Sequence, residues 1–277
     1  MTKTIVASVS GFLMLSALFV AAPALADHSW GMYHWARTAN PLTLNLGDNV
    51  SPTWDAHLAA ASSDWSISEA LDTAIVAGKT NATKGRNTPK NCLPTSGRVE
   101  VCSTRYGSNG WLGIASIWVS GSHITQGTVK LNDTYFNIAK YNTSAWRQLV
   151  VCQEIGHTFG LDHQDEDFNN QNLGTCMDYT NAPAGGVVGG FEYGISNEHP
   201  NTHDWDQLAL IYSHADSFVS SLSKTSGSGA ASVADVDTSN PREWGRAIRA
   251  SRDGHSSLYE RNLGNGQTLF TFVVWTQ

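Results

Sequence analysis

The chain has 277 residues, 41% of them hydrophobic, 15% charged and ten of them tryptophan, a composition that excludes a disordered or low-complexity protein. The formal charge is −7, and removal of residues 1–26, which carry Lys3 and no acid, makes it −7 − 1 = −8. That balance argues against nucleic acid and anionic lipid as partners.

Residues 1–26 read as a signal peptide: Lys3 supplies the positive start, an apolar run follows, and Ala24-Leu25-Ala26 fits the small-x-small cleavage rule. The apolar run is short for a membrane span of about 20 residues and no second one follows, so no membrane anchor is expected after cleavage. The chain is therefore expected outside the cell or in a periplasm. Four cysteines in an exported chain imply disulfides, with three pairings open. Cys92 and Cys102 flank a segment with Pro94 and Gly97, as a bridged hairpin would. Cys152 and Cys176, if joined, would clamp a helix to a turn, stabilising by roughly 2 to 4 kcal/mol.

Residues 42–47, "LTLNLG", alternate like a half-buried strand. Ser51-Pro52 then has the form of an N-cap and first helical residue, with Trp54, Leu58, Ala61 and Trp65 on one helical face. Residues 66–78 admit two readings, since Ser66 and Glu69 could form a capping box while "TAIVAGKT" suits a strand; the strand is the reading taken. Segments 98–103, 111–119 and 126–132 carry β-branched and aromatic residues between turn-rich stretches and are expected to be strands. Thr143 or Ser144 can cap a helix whose stripe runs Trp146, Leu149, Val150, Gln153 and His157. A last helix is expected over 203–219. Residues 223–243 have linker composition, and 244–277 form a small β-rich segment whose two strand-like runs meet at Gly264-Asn265-Gly266 as a hairpin.

The chemistry concentrates in "VVCQEIGHTFGLDH", residues 150–163. On a helix, positions 153 and 157 stack on one face. Gly160 can turn the chain out of the helix and return His163 to the same point. Three such side chains leave an open position on a catalytic zinc, and Glu154 stands beside them as a general base for a water.

This segment resembles H-E-x-x-H-x-x-G-x-x-H, the zinc signature of the metzincin metallopeptidases, with Gln153 where the family has histidine. "TCMDYT" places Met177 fourteen residues after His163, like the family's methionine turn, and Met177-Asp178-Tyr179 matches the M-x-Y of its serralysin and astacin branches. The resemblance covers about residues 40–220. It implies an α+β catalytic domain over 27–222, a twisted mixed sheet with an active-site helix, a Met-turn and a last helix, followed by the small hairpin tail.

It further implies a secreted zinc endopeptidase acting on proteins or peptides. Gln153, His157 and His163 would be the metal ligands, Glu154 the base and Tyr179 the oxyanion partner, with Gly160 and Met177 structural. "WLGIASIWV" resembles the edge strand on which the family binds extended substrate, at Gly113, Ile114, Ala115 and Ser116.

Glutamine offers zinc only a neutral amide oxygen, a weaker ligand than imidazole. Three readings follow: an enzyme that holds its metal more loosely, a metzincin-shaped binding protein without hydrolytic activity, or a chance match or another metal-dependent activity. Asp162, Asp165, Glu166 and Asp167 form an acidic loop that could hold Ca²⁺ or simply be solvated.

Overall fold

The computed structural model describes Met1 and residues 28–80, 88–220 and 236–277. Residues 2–26 of the expected signal peptide and 223–235 of the expected linker lie outside the described residues.

The fold is α+β. In chain order the elements are β1 (His34–Trp35), β2 (Leu42–Asn49), α1 (Asp55–Trp65), β3 (Leu71–Ala77), β4 (Val99–Thr104), β5 (Trp111–Ser120) and β6 (His123–Asn132). A one-turn α2 (Asp133–Phe136), the long α3 (Ser144–His157), a two-residue ribbon of β7 (Val187–Val188) and β8 (Phe191–Glu192), and α4 (Thr202–Ile211) follow. The chain closes with β9 (Arg246–Ala250), β10 (Ser256–Gly264) and β11 (Gln267–Trp275).

Nine strands form one mixed sheet in the order β3-β2-β4-β6-β5-β11-β10-β9, with β1 paired to β6. The half from β3 to β6 is parallel. The half from β6 to β9 is antiparallel.

Alternation sets β2: Leu42, Leu44 and Leu46 are buried while Thr43 and Asn45 are exposed. In α1, Leu58, Ala61 and Trp65 face inward as their spacing requires. The helix opens later than Ser51-Pro52 suggests. A turn first closes from the Trp54 N–H to the Ser51 carbonyl (2.8 Å), and the Trp54 indole donates to Asp133 Oδ1 at 2.8 Å, fully buried.

Helix α4 stops at Ile211 instead of running to 219. The Tyr212 carbonyl accepts from the Arg37 guanidinium and from Asn40 Nδ2, and the Asp216 N–H turns onto the Arg37 carbonyl at 2.7 Å. Local helical spacing continues there, but a tertiary partner has claimed the backbone. No helix among the described residues is long and apolar enough to cross a membrane.

Of the two placements open to the hairpin, packing on the main domain or a small β-appendage, the first is found. Strand β11 pairs with β5 from Gln267 opposite Ser120 to Val274 opposite Gly113, and β10 and β9 extend the sheet beyond it. Both faces of β11 are buried. Phe270, Phe272 and Val274 join the main core, while Val273 packs with Trp111, Ile114 and Trp244 on the opposite face. A two-stranded hairpin alone is marginal in water, and β5 supplies the third strand it needs.

Candidate active site

Helix α3 is capped by Thr143, whose hydroxyl accepts from the Trp146 N–H, and every residue from Trp146 to His157 is buried. It lies between α1 and the strands β5, β6 and β11. Three indole N–H groups satisfy carbonyls along its last turns: Trp65 donates to Cys152 (3.1 Å), Trp30 to His157 (3.0 Å) and Trp35 to Thr158 (2.8 Å). Those carbonyls would otherwise be buried without partners or committed only within the helix end.

Gly160 then breaks the helix at φ +104°, and a Cβ there would meet the Tyr33 carbonyl at 2.5 Å. Only glycine fits both conditions. Past the break, the Asp162 N–H donates to the His28 carbonyl, and His163 comes back over the helix end. The His157 and His163 ring centroids are 4.5 Å apart.

Both imidazoles are oriented from behind. His157 Nδ1 is 2.9 Å from the Leu161 carbonyl, and His163 Nδ1 is 3.1 Å from Glu166 Oε1. Donation at Nδ1 leaves Nε2 as the lone-pair nitrogen on each ring, the tautomer a metal requires. Among the described residues neither Nε2 has a hydrogen-bond partner, and the Glu154 carboxylate and the Tyr179 hydroxyl have only the long reach of the Ala115 backbone and of Ser256. All four residues are buried, and the Tyr179 ring centroid is 4.4 Å from that of His163.

Burial holds His157 well below the ordinary imidazole range, helped by the neighbouring His163. Burial also pushes the Glu154 carboxyl well above the usual carboxylate range, against a weaker opposing effect from the Ala115 backbone. The Tyr179 phenol is raised by burial too, with Ser256 acting the other way.

The methionine turn locks onto this helix. Cys152 is bridged to Cys176, and Cys92 to Cys102. Gln153 grips the same residue, its Nε2 donating to the Cys176 carbonyl at 2.9 Å. Met177 is fully buried beneath Gly156, where an added Cβ would stand 2.6 Å from the methionine sulfur. The Gln164 N–H donates to the Met177 carbonyl at 2.7 Å, tying the turn to the segment that carries His163.

Gly113 adjoins Glu154: a Cβ there would meet Glu154 Oε1 at 2.5 Å and Val150 Cγ1 at 2.6 Å. Its small size makes room for the carboxylate. The expectation of an exposed edge at Gly113, Ile114, Ala115 and Ser116 is not met, because β11 covers that side of β5 along its length.

Phe272, opposite Ala115, stacks on His157 with centroids 4.1 Å apart and planes 12° apart. Arg249 of β9 completes the cover, its guanidinium bonded to the Asp162 carboxylate and 3.3 Å from Glu166 Oε1. Burial works to raise Asp162, but the Arg249 hydrogen bonds and nearby imidazoles overcome it and hold the carboxyl low.

Nothing in the acidic loop supports calcium, and its carboxylates are engaged by protein groups. Asp162 serves Arg249, Glu166 serves His163 and Arg249, and Asp165 accepts from the Asp167 N–H and from Asn170. Phe272 and Arg249 carry no motif and were invisible to spacing arguments. For Phe272 the one sequence signal is the apolar stretch of β11 from Leu269 to Trp275, interrupted only by Thr271, which marks a strand buried on both faces.

No family model matches the chain, and no curated protein matches it in sequence. Among solved structures it is similar to high choriolytic enzyme 1, a hatching-enzyme zinc protease of the medaka fish Oryzias latipes. The identity is 12%, with 65% of this chain and 94% of that chain covered and a TM-score of 0.35. It is also similar to two structures of myroilysin: one at 13% identity, with 65% and 97% of the chains covered and a TM-score of 0.34, and one at 12% identity, with 70% and 97% covered and a TM-score of 0.33. Likeness at these scores lends no weight to a statement about chemistry, and the site stands on its own geometry.

Proposed function

We propose that the chain is a secreted zinc-dependent endopeptidase whose site is closed by its own β10–β11 hairpin. The observation that carries this reading is the pair of buried imidazole nitrogens, His157 Nε2 and His163 Nε2, without a hydrogen-bond partner among the described residues and beside the buried Glu154 carboxylate and Tyr179 hydroxyl. Each unsatisfied buried polar group costs about 1 to 3 kcal/mol, so the two nitrogens left empty would cost about 2 to 6 kcal/mol, a large share of a domain's stability. A cation and a water are the partners this donor set fits.

His157 and His163 would hold the metal through Nε2. With its Nε2 committed to Cys176, Gln153 can offer only its amide oxygen as the third ligand. When bound, zinc supplies a Lewis acid and lowers the pKa of its water. A divalent charge also favours the ionised form of Glu154, reversing the effect of burial. Glu154 then takes a proton from the attacking water and passes it to the leaving amine. The Tyr179 hydroxyl donates to the oxyanion.

One observation favours the second reading, a binding protein without hydrolytic activity: Gln153 is already satisfied as a strut to Cys176. Zinc titration of wild type, Gln153→His and His157→Ala/His163→Ala separates the two. The enzyme reading expects the double variant to take up one ion fewer per chain than wild type, and Gln153→His to bind more tightly. Equal uptake by wild type and the double variant would leave the binding-protein reading.

A further inference from the structure

Away from the cleft, three imidazoles and one carboxylate converge from three distant parts of the chain. His34 in β1 and His123 in β6 are register partners across the parallel pair. His214 and Asp216 follow α4, where the chain turns back toward the N-terminal segment. His34 Nε2 lies 3.1 Å from His214 Nε2. Asp216 Oδ1 lies 3.1 Å from His123 Nε2, 3.5 Å from His34 Nε2 and 3.9 Å from His214 Nε2.

A tetrahedral zinc with ligands at about 2.0 Å has ligand-to-ligand edges of about 3.3 Å. The four distances straddle that value; His34, His123 and Asp216 each offer an atom within 4.8 Å of the others, and His214 stands beside that trio through His34 and Asp216. We propose that His34, His123 and Asp216 hold a structural zinc on which His214 closes as the fourth ligand.

The surroundings orient the donors as a metal site needs. His34 Nδ1 is 2.9 Å from the Met32 carbonyl, so its proton sits there and Nε2 presents a lone pair. Asp216 Oδ2 accepts from the Arg37 N–H (3.1 Å) and Nη1 (3.4 Å) and lies 3.4 Å from His34 Nε2, while Oδ1 faces all three imidazoles. The His34 ring meets those of His123 and His214 edge-on, at 74° and 84°, so the three rings approach from different directions. Imidazole nitrogen with a single carboxylate selects zinc over calcium or magnesium. Four protein ligands leave no open position, which distinguishes the site from the cleft.

The ions would act as a clip behind the motif helix. Trp35, next to His34, donates to the Thr158 carbonyl, and the Tyr212 hydroxyl, two residues before His214, donates to the Phe159 carbonyl at 2.9 Å. Joining β1, β6 and the turn after α4 fixes the two side chains that hold the end of α3. The inference does not depend on the cleft being active.

The test is Zn²⁺ titration of the chelator-stripped full chain, with zinc counted by mass spectrometry and Co²⁺ as a spectroscopic probe. The His214 side chain is 51% exposed, so His214→Ala leaves the core intact. It should bind one zinc fewer per chain than wild type, whether or not the cleft binds metal. The His157→Ala/His163→Ala variant should keep one site with the intense visible absorption of tetrahedral Co²⁺, and adding His214→Ala should abolish that absorption. Equal zinc counts in wild type and His214→Ala would overturn the proposal and leave a hydrogen-bonded histidine cluster around Asp216. Should His157→Ala/His163→Ala fail to fold, the wild type and His214→Ala comparison decides alone.

Discussion

Phe272→Ala separates the cover from the site beneath it. Phe272 is 1% exposed and lies flat on His157 at 4.1 Å, with Trp30 edge-on at 5.5 Å. Truncating a buried phenylalanine costs about 3 to 5 kcal/mol. Every 1.4 kcal/mol is a tenfold change in an equilibrium, so if the whole loss falls on hairpin closure, the open population rises by about 10²-fold to about 4 × 10³-fold.

Leu58→Ala is the control. Leu58 is 1% exposed, sits in α1 and costs about 2 to 5 kcal/mol on truncation, without touching the hairpin. Urea unfolding measures both losses, and a quenched-peptide assay in zinc measures turnover. The expected result is comparable destabilisation of the two variants with a rise in turnover for Phe272→Ala alone. Equal turnover in the two would refute the idea that β11 is the cover, and a stability loss under about 1 kcal/mol for Phe272→Ala would refute the packing argument.

Two further outcomes follow from the geometry. Gly113→Ala places a Cβ 2.5 Å from Glu154 Oε1, so the carboxylate must shift; hydrolysis in the Phe272→Ala background should fall by about 10²-fold with zinc content unchanged. Lys130 is fully buried, with Nζ 2.7 Å from Ser239 Oγ, and burial brings its pKa down to about 7, against the pull of Asp237. Between that value and the ordinary lysine value the unfolded chain holds the extra proton. Stability should therefore rise from pH 7 toward pH 10, at up to about 1 kcal/mol per unit. Denaturant titrations of Lys130→Met should show that slope flattened. Asp178, which burial pushes up to about 7, acts below this window and with the opposite slope, since there the folded state holds the proton.

The site was legible where its residues are neighbours in sequence. His157 and Glu154 follow from helical spacing, and Gly160 from the need to turn. The order of β2, α1, β3, β4, β5, β6 and α3 was equally open to pattern reading, because each element has its own period and punctuation. The β11 pairing was not: Phe272 meets Ala115 only through a long-range register, which no local pattern encodes. The early end of α4 escaped for a similar reason, since helical spacing persists past Ile211 while Arg37 and Asn40 take the Tyr212 carbonyl. His34, His123, His214 and Asp216 have no motif spacing, and only the folded chain brings them together. Gln153 looked like a ligand in doubt; the fold adds a second task for it, as the strut that holds the Met177 turn.

The central claim is that Glu154 works as a base beside a metal held by His157, His163 and Gln153. Its most direct test is peptide hydrolysis by zinc-loaded Phe272→Ala beside zinc-loaded Phe272→Ala/Glu154→Gln. The expected result is hydrolysis by the first and its loss in the second, with equal zinc bound by both. Equal rates in the two proteins, or no hydrolysis by either with the cleft loaded, would contradict it.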